Sequence, residues 1–492
     1  MLVGCAAQPH APPVLLHSTG GVASPSLAGG APNAPTSPPV AVDIPPDLQA
    51  ILDDELVAAR AHEVVRALVD EVGPRLAGSP ADAAATDWAV KTMGAMGYAN
   101  VHKEPVKVAR WERGSVEEVS VIAPAHALTA TALGGSVGTP AAGVEGEVLR
   151  VEDLDALDGL ATADVAGKIV FFSGRMEHSS DFSEYGRAVG PRVKGAIAAS
   201  KKGAVAVLVR SIGTDDNRLP HTGFVKMPEP SDGTKAIPAA ALAAPDADML
   251  ERLLEATRTA VRVRVRLSCR RLPDAPSANV VGEITGREKP DQLVLVGAHL
   301  DSWDLGHGAL DDGAGVAIAL SAVKLAAARR PPRRTMRVVL FAGEELSGAG
   351  AKQYAADHAK ELDKHVVAFE ADAGDGAVQT FRWLGSLEGK GLAEHVGARL
   401  SQALGIDALT ESAEGGSDVG ALRAQGVPVI DLGQDMNRYF DYHHTANDTF
   451  DKIDADALTS ATRAYAAAAW SFAEAGDDLG RVPQSQRVRA WK

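Results

Sequence analysis

The feature that most restricts what this chain can fold into is a regular alternation, from about residue 273 onward, of short apolar runs with helix-length segments. Strands are predicted at 293–298, 338–342, 366–369 and 427–432, and helices at 313–329, 348–363, 387–404 and 455–475. Alternation of this kind implies an α/β fold, a largely parallel sheet covered by helices on both faces. In open sheets of that type, ligands bind outside the carboxyl ends of the strands.

The unusual acids and histidines fall at those ends. The first strand runs into His299-Leu300-Asp301-Ser302, the second into Gly343-Glu344-Glu345, and the third into Glu370-Ala371-Asp372. Near the close comes Tyr442-His443-His444-Thr445, followed by Asp448-Thr449. Asp311 and Asp312, twelve and thirteen residues after His299, open the next helix. Adjacent carboxylates repel unless a cation or backbone donors neutralise them. With only two cysteines in 492 residues, a thiolate metal site or disulfide framework is excluded. Hard oxygen ligands with imidazole suit zinc in an open-sided catalytic site.

The rest of the chain reads differently. Helical periodicity starts near Asp47 and continues through Leu68, and a second helix begins at Ser79-Pro80, a cap followed by proline at the first helical position. Between 117 and 272 short apolar runs are separated by turn residues. Strands are expected there at Ile169–Phe172, at 203–209 and in the strictly alternating 261–266, with a helix at 193–202. The arginines of that alternating strand read as a solvated outer face. A balance of 64 acidic to 49 basic residues, net charge −15, argues against nucleic acid as a partner. No apolar run reaches the roughly 18 residues of a spanning helix.

At the amino end, Leu2-Val3-Gly4-Cys5 has the form of a bacterial lipobox, although only four residues precede the cysteine. Residues 6–48 lack Lys and Arg and hold ten of the 28 prolines, a composition expected of a flexible tether. A lipidated Cys5 followed by such a tether is expected to place the protein outside the cytoplasm, anchored at the cell envelope or secreted.

His-Leu-Asp-Ser at 299–302, Asp-Asp-Gly-Ala-Gly at 311–315, Glu344-Glu345, Asp372 and His444-Thr445-x-x-Asp448-Thr449 together resemble the co-catalytic zinc aminopeptidase family. The carboxypeptidase Q branch is the nearer likeness, through Gly73-Pro74-Arg75-Leu76, Trp111-Glu112-Arg113-Gly114, Pro220-His221-Thr222-Gly223, Asp301-Ser302-Trp303-Asp304 and Glu370-Ala371-Asp372-Ala373-Gly374. The resemblance spans about 55 to 475. It implies a zinc peptidase domain at 49–116 and 273–480, a β-rich protease-associated insert at 117–272, a tether at 1–48 and a tail at 481–492.

It also implies two zinc ions per chain, one held by His299 and Asp372, the other by Glu345 and His444, with Asp311 bridging. Three carboxylates, two Zn²⁺ and a bridging hydroxide then sum to zero charge. Glu344 takes the general-base position and Asp301 orients His299 by accepting from its free ring nitrogen. The peptide between Asp311 and Asp312 is expected to be cis. His443 competes with His444 for the ligand position; His444 is preferred because it directly precedes Thr445. The implied activity is hydrolysis of dipeptides or of N-terminal residues of short peptides, in a homodimer. An inactive receptor-like binding protein and a single-zinc glutaminyl cyclase are the alternatives. Asp418 and Glu370 are candidates to meet a substrate amine, and no arginine can be assigned to a substrate carboxylate.

Overall fold

The computed structural model describes residues 42–54, 57–228, 233–257 and 259–487. Cys5 and the tether before residue 42 lie outside the described residues. The tether is expected to reach residue 48, but the helix Pro46–Leu52 occupies its last residues and buries Leu48 and Ile51. Proline at its first turn costs no hydrogen bond and pre-sets the backbone angle.

The expected α/β architecture is present as a mixed sheet of eight strands. Its order is Ala99–Glu112, Arg270–Ile284, Arg334–Phe341, Lys289–His299, His365–Glu370, Val429–Gln434, Val378–Leu384, Asp407–Ser412. The central strands Arg334–Phe341, Lys289–His299, His365–Glu370 and Val429–Gln434 run parallel, while the amino-proximal edge and the Val378–Leu384 strand pair antiparallel. Besides Ala99–Glu112 and Arg270–Ile284, the sequence expectation lacks Val378–Leu384 and the edge strand Asp407–Ser412. The latter reads Asp-Ala-Leu-Thr-Glu-Ser and is almost wholly exposed, so it carries no apolar signature.

Central strands buried on both faces appear in sequence as unbroken apolar runs. Along Lys289–His299, Val294, Val296 and Ala298 pack into a core shared with the helices Val57–Glu71, Gly315–Ala326 and Ala455–Glu474. Leu295 faces the other way, into a core with Ala351, Tyr354 and Leu422 from the helices Ala349–Asp357 and Val419–Ala424. The alanine- and aromatic-rich helix Ala455–Glu474 is core packing, as its spacing implies.

Residues 117–267 form a second eight-stranded sheet of their own. Ile169–Phe172 and Ala206–Arg210 are buried throughout, and they pair in parallel. In Arg262–Leu267, Val263 and Val265 are buried, while Arg264 and Arg266 reach Glu145 and Glu118 at the surface. The arginine stripe is a solvated strand face.

Candidate metal centre

Strand register sets the site. His299 pairs with Phe341 on one neighbouring strand, and Gly297 pairs with Glu370 on the other. Glu344, Glu345 and Asp372 follow those partners within a few residues, so all emerge at the same sheet edge. The turn Ala309–Ala314 then returns Asp311 to His299, and the peptide between Asp311 and Asp312 is cis.

Asp311 sits at the middle. Its Oδ1 lies 3.1 Å from His299 Nε2, and its Oδ2 lies 3.2 Å from His444 Nε2. Asp372 Oδ1 is 3.6 Å from His299 Nε2, and Glu345 Oε2 is 3.3 Å from His444 Nε2. One carboxylate therefore faces two imidazoles, each joined by a further carboxylate. His443 Nε2 stands 3.7 Å from Asp311 Oδ2 and stacks on His444, but only His444 of the two also meets Glu345.

The electrostatics call for cations. Burial raises Glu345, Asp372 and Asp312 above the usual carboxylate range, and neighbouring carboxylates add to this. For Asp311 burial works the same way, but hydrogen bonds from His299 and His444 outweigh it and hold the group low. Glu345 Oε1 is buried without a hydrogen-bond partner. Crowded buried carboxylates with imidazole and an orphaned oxygen fit divalent zinc, whose charge removes the repulsion. Asp312 accepts from the backbone N–H groups of His299 at 2.9 Å and Gly315 at 3.1 Å, and its carboxylate lies near enough to His299 and Asp372 to share an ion with them.

One expected role needs correction. His299 Nδ1 donates to the main-chain carbonyl of Asp301 at 3.0 Å, while the Asp301 carboxylate is 3.8 Å from that nitrogen. The Asp301 side chain instead accepts from the Glu344 backbone N–H at 3.0 Å, tying the base position to the strand end. A backbone carbonyl sets the imidazole tautomer as well as a carboxylate would. Asp418 is fully buried, and its backbone N–H donates to Glu370 Oε2 at 2.8 Å, while both oxygens of its own carboxylate and Glu370 Oε1 have no hydrogen-bond partner.

A cleft of about 500 Å³ opens over the cluster, lined by His299, Asp311, Glu344, Glu345, Asp372 and His444. Its far wall comes from the second-sheet region: Tyr185, Val189, Arg192, Val193, Phe224 and Met227. Glu344 is pushed up to about 7 by burial, with Asp372, Asp301 and Asp311 contributing.

A family model for peptidase family M28 matches residues 279–469. Carboxypeptidase Q of Mus musculus is 36% identical over 425 residues, covering 86% of this chain and 87% of that protein. The chain belongs to peptidase family M28. The human carboxypeptidase Q is similar to this M28 peptidase at 36% identity over the same length. The crystal structure of a peptidase M28 precursor from Shewanella amazonensis SB2B is 41% identical, with a TM-score of 0.84, covering 89% of this chain and 99% of that one. A zinc aminopeptidase from Bacillus subtilis, at 19% identity and a TM-score of 0.59, shares the fold over 87% of this chain and 98% of its own. This M28 chain is thus a zinc peptidase whose donor set is of the kind that holds the metal.

Sequence reasoning missed two contributors to the site. Arg75 is fully buried, and its guanidinium donates to the carbonyls of Leu300 at 2.6 Å, His307 at 2.9 Å and Gly308 at 3.0 Å, all in the loop that joins the donors His299 and Asp311. Asp448 takes the backbone N–H groups of Leu310 and Asp311 on its two oxygens. Both lie in motifs that carry the resemblance, but only the folded chain shows that they shape the donor loop.

Proposed function

We propose that this M28 peptidase is a two-zinc exopeptidase acting on dipeptides or on N-terminal residues of short peptides. His299 and Asp372 would hold one ion, Glu345 and His444 the other, and Asp311 both. The observation that carries the reading is the Asp311 carboxylate, with one oxygen toward His299 and the other toward His444. Two ions would each take one of those oxygens. When bound, such ions polarise a carbonyl oxygen and lower the pKa of water toward neutrality.

Glu344 supplies the proton traffic. Its backbone is tied to Asp301, its side chain borders the cleft, and its raised pKa suits a group that must both accept and release a proton near neutral pH. It takes a proton from the attacking water as the new carbon–oxygen bond forms. It then returns that proton to the amide nitrogen as the carbon–nitrogen bond breaks, leaving a carboxylic acid and an amine, and transfer of the remaining water proton to the amine gives the carboxylate and ammonium products.

The segment 117–272 is read as a protease-associated insert that walls the cleft and limits it to short peptides. Among the described residues no helix is long and apolar enough to cross a membrane. Leu2–Cys5 is read as a lipidation signal and the segment from residue 6 to the start of the helix Pro46–Leu52 as a tether, placing the enzyme outside the cytoplasm, and a homodimer is expected from the family resemblance. Elemental analysis of the purified chain, combined with assays on free and end-blocked dipeptides, tests the reading. Two zinc ions per chain with metal-dependent dipeptide hydrolysis are expected. One ion per chain with cyclisation of N-terminal glutamine would favour the cyclase alternative, and a loaded but inert protein the receptor-like one.

A further inference from the structure

Five arginines are buried among the described residues, and four are saturated. Arg75 and Arg334 donate to backbone carbonyls, Arg113 pairs with Asp304 and Glu117, and Arg210 pairs with Asp248. Arg192, only 5% exposed, differs. Its Nη2 donates to the Tyr185 hydroxyl at 2.5 Å, its Nε has no partner, and no carboxylate among the described residues forms an ion pair with it.

The remaining contact, Nη1 to His444 Nδ1 at 3.3 Å, is not a hydrogen bond once the imidazole is oriented. His444 directs Nε2 at Asp311 and Glu345, so its Nδ1 carries the proton and donates to the Thr222 carbonyl at 3.3 Å. That nitrogen has no lone pair left for a guanidinium. A buried cation with one neutral acceptor and only the Tyr185 ring face, 5.3 Å away, beside it is costly to maintain unless a counter-ion arrives.

The place of Arg192 says which anion would serve. It lines the catalytic cleft, one imidazole ring from the metal-facing nitrogen of His444. Of the other cations bordering the cleft, Lys226, Arg271 and Lys352 are exposed and therefore screened, and half-buried Arg110 is already paired with Glu112 at 2.8 Å. Consecutive residues are about 3.8 Å apart, so with a peptide carbonyl at the metals the carboxylate of the next residue would lie a few ångströms from the cluster, the range in which Arg192 stands through its 3.3 Å contact with His444. The pocket around Arg192 is built closely. Gly223 has φ +135°, and a Cβ there would come within 2.5 Å of the guanidinium carbon.

We infer that Arg192, held by Tyr185, binds the α-carboxylate of the residue immediately following the scissile bond, selecting peptides that end there. This rests on the peptidase reading and adds which end of the substrate is read, and by what. A planar guanidinium with free N–H groups binds a carboxylate in two-point fashion that an amide or ester cannot match.

The test compares a dipeptide with its C-terminal amide on the zinc-loaded enzyme. The wild type should favour the free acid in kcat/KM by on the order of 100-fold, the scale expected for a desolvated charge pair. Arg192→Met should reduce that preference to within a few-fold, Arg192→Lys should keep part of it, and Tyr185→Phe should weaken it less than either. Zinc content should stay at the wild-type level in all three. Equal cleavage of acid and amide by the wild type would overturn the carboxylate assignment while leaving the peptidase reading intact. So would an equal loss on both substrates in Arg192→Met, which would make the arginine a support for His444. Failure of the loaded wild type to cleave either peptide would sink both.

Discussion

Replacing Arg75 with methionine isolates the device that holds the donor loop in place. The methionine side chain keeps much of the volume but has no donor, so the buried or half-buried carbonyls of Leu300, His307 and Gly308 each lose their guanidinium contact. A buried acceptor stripped of its partner costs about 1–3 kcal/mol. Against this stands relief from burying the guanidinium, whose own pKa is lowered by desolvation. The nearby charge of Asp448, the largest favourable electrostatic contribution to Arg75, is lost as well. The balance is a loss of about 3–5 kcal/mol, a large part of the roughly 5–15 kcal/mol that stabilises ordinary proteins. Denaturant unfolding of the metal-free protein measures it without the stabilisation that bound metal would add. Amide exchange at Leu310 and Asp311, which donate to Asp448, should speed up first, because these groups belong to the same loop. Zinc affinity should fall in parallel, since His299 and Asp311 flank the loosened segment. A loss below about 1 kcal/mol with unchanged exchange would show that the loop holds itself and refute the reasoning.

Two further outcomes can be checked directly. Glu344→Gln should lower kcat by about 10²–10⁴-fold while zinc content stays at the wild-type level, because the change removes a proton acceptor and no proposed ligand; loss of metal in that variant would move Glu344 into the donor set. His365 is buried, accepts from the Tyr354 hydroxyl at 2.9 Å, donates to the Glu361 carbonyl, and is held down to about 3 by burial with Arg337 nearby. It stays neutral when folded, whereas an unfolded histidine takes up a proton below its ordinary value of 6.5. Its contribution is therefore flat above that pH and is lost as the pH falls from 6.5 toward 3, costing about 2 kcal/mol near pH 5. His365→Gln keeps an acceptor for Tyr354 and should flatten that part of the acid unfolding curve. Identical acid limbs for wild type and variant would show that other groups set it.

Much of this protein was determined locally. The unbroken apolar run of Leu293–Ala298 identifies a central strand because burial on both faces leaves no polar alternation, and Ser79-Pro80 marks a helix start by capping chemistry alone. The acids and histidines at strand ends announced a site because parallel strands open their carboxyl ends to one edge. Choices that depend on contacts distant in sequence were decided only by the tertiary structure. The His299 imidazole could be oriented by either acceptor of Asp301, and the strand-to-loop path selected the carbonyl. The exposed strand Asp407–Ser412 exists because a neighbouring strand offers its hydrogen bonds, which no periodicity records. Arg192 is one arginine among many in the sequence. Its lack of an anionic partner beside His444 arises where a helix of the second-sheet region meets a loop some 250 residues further on, and only the closed chain brings those two together.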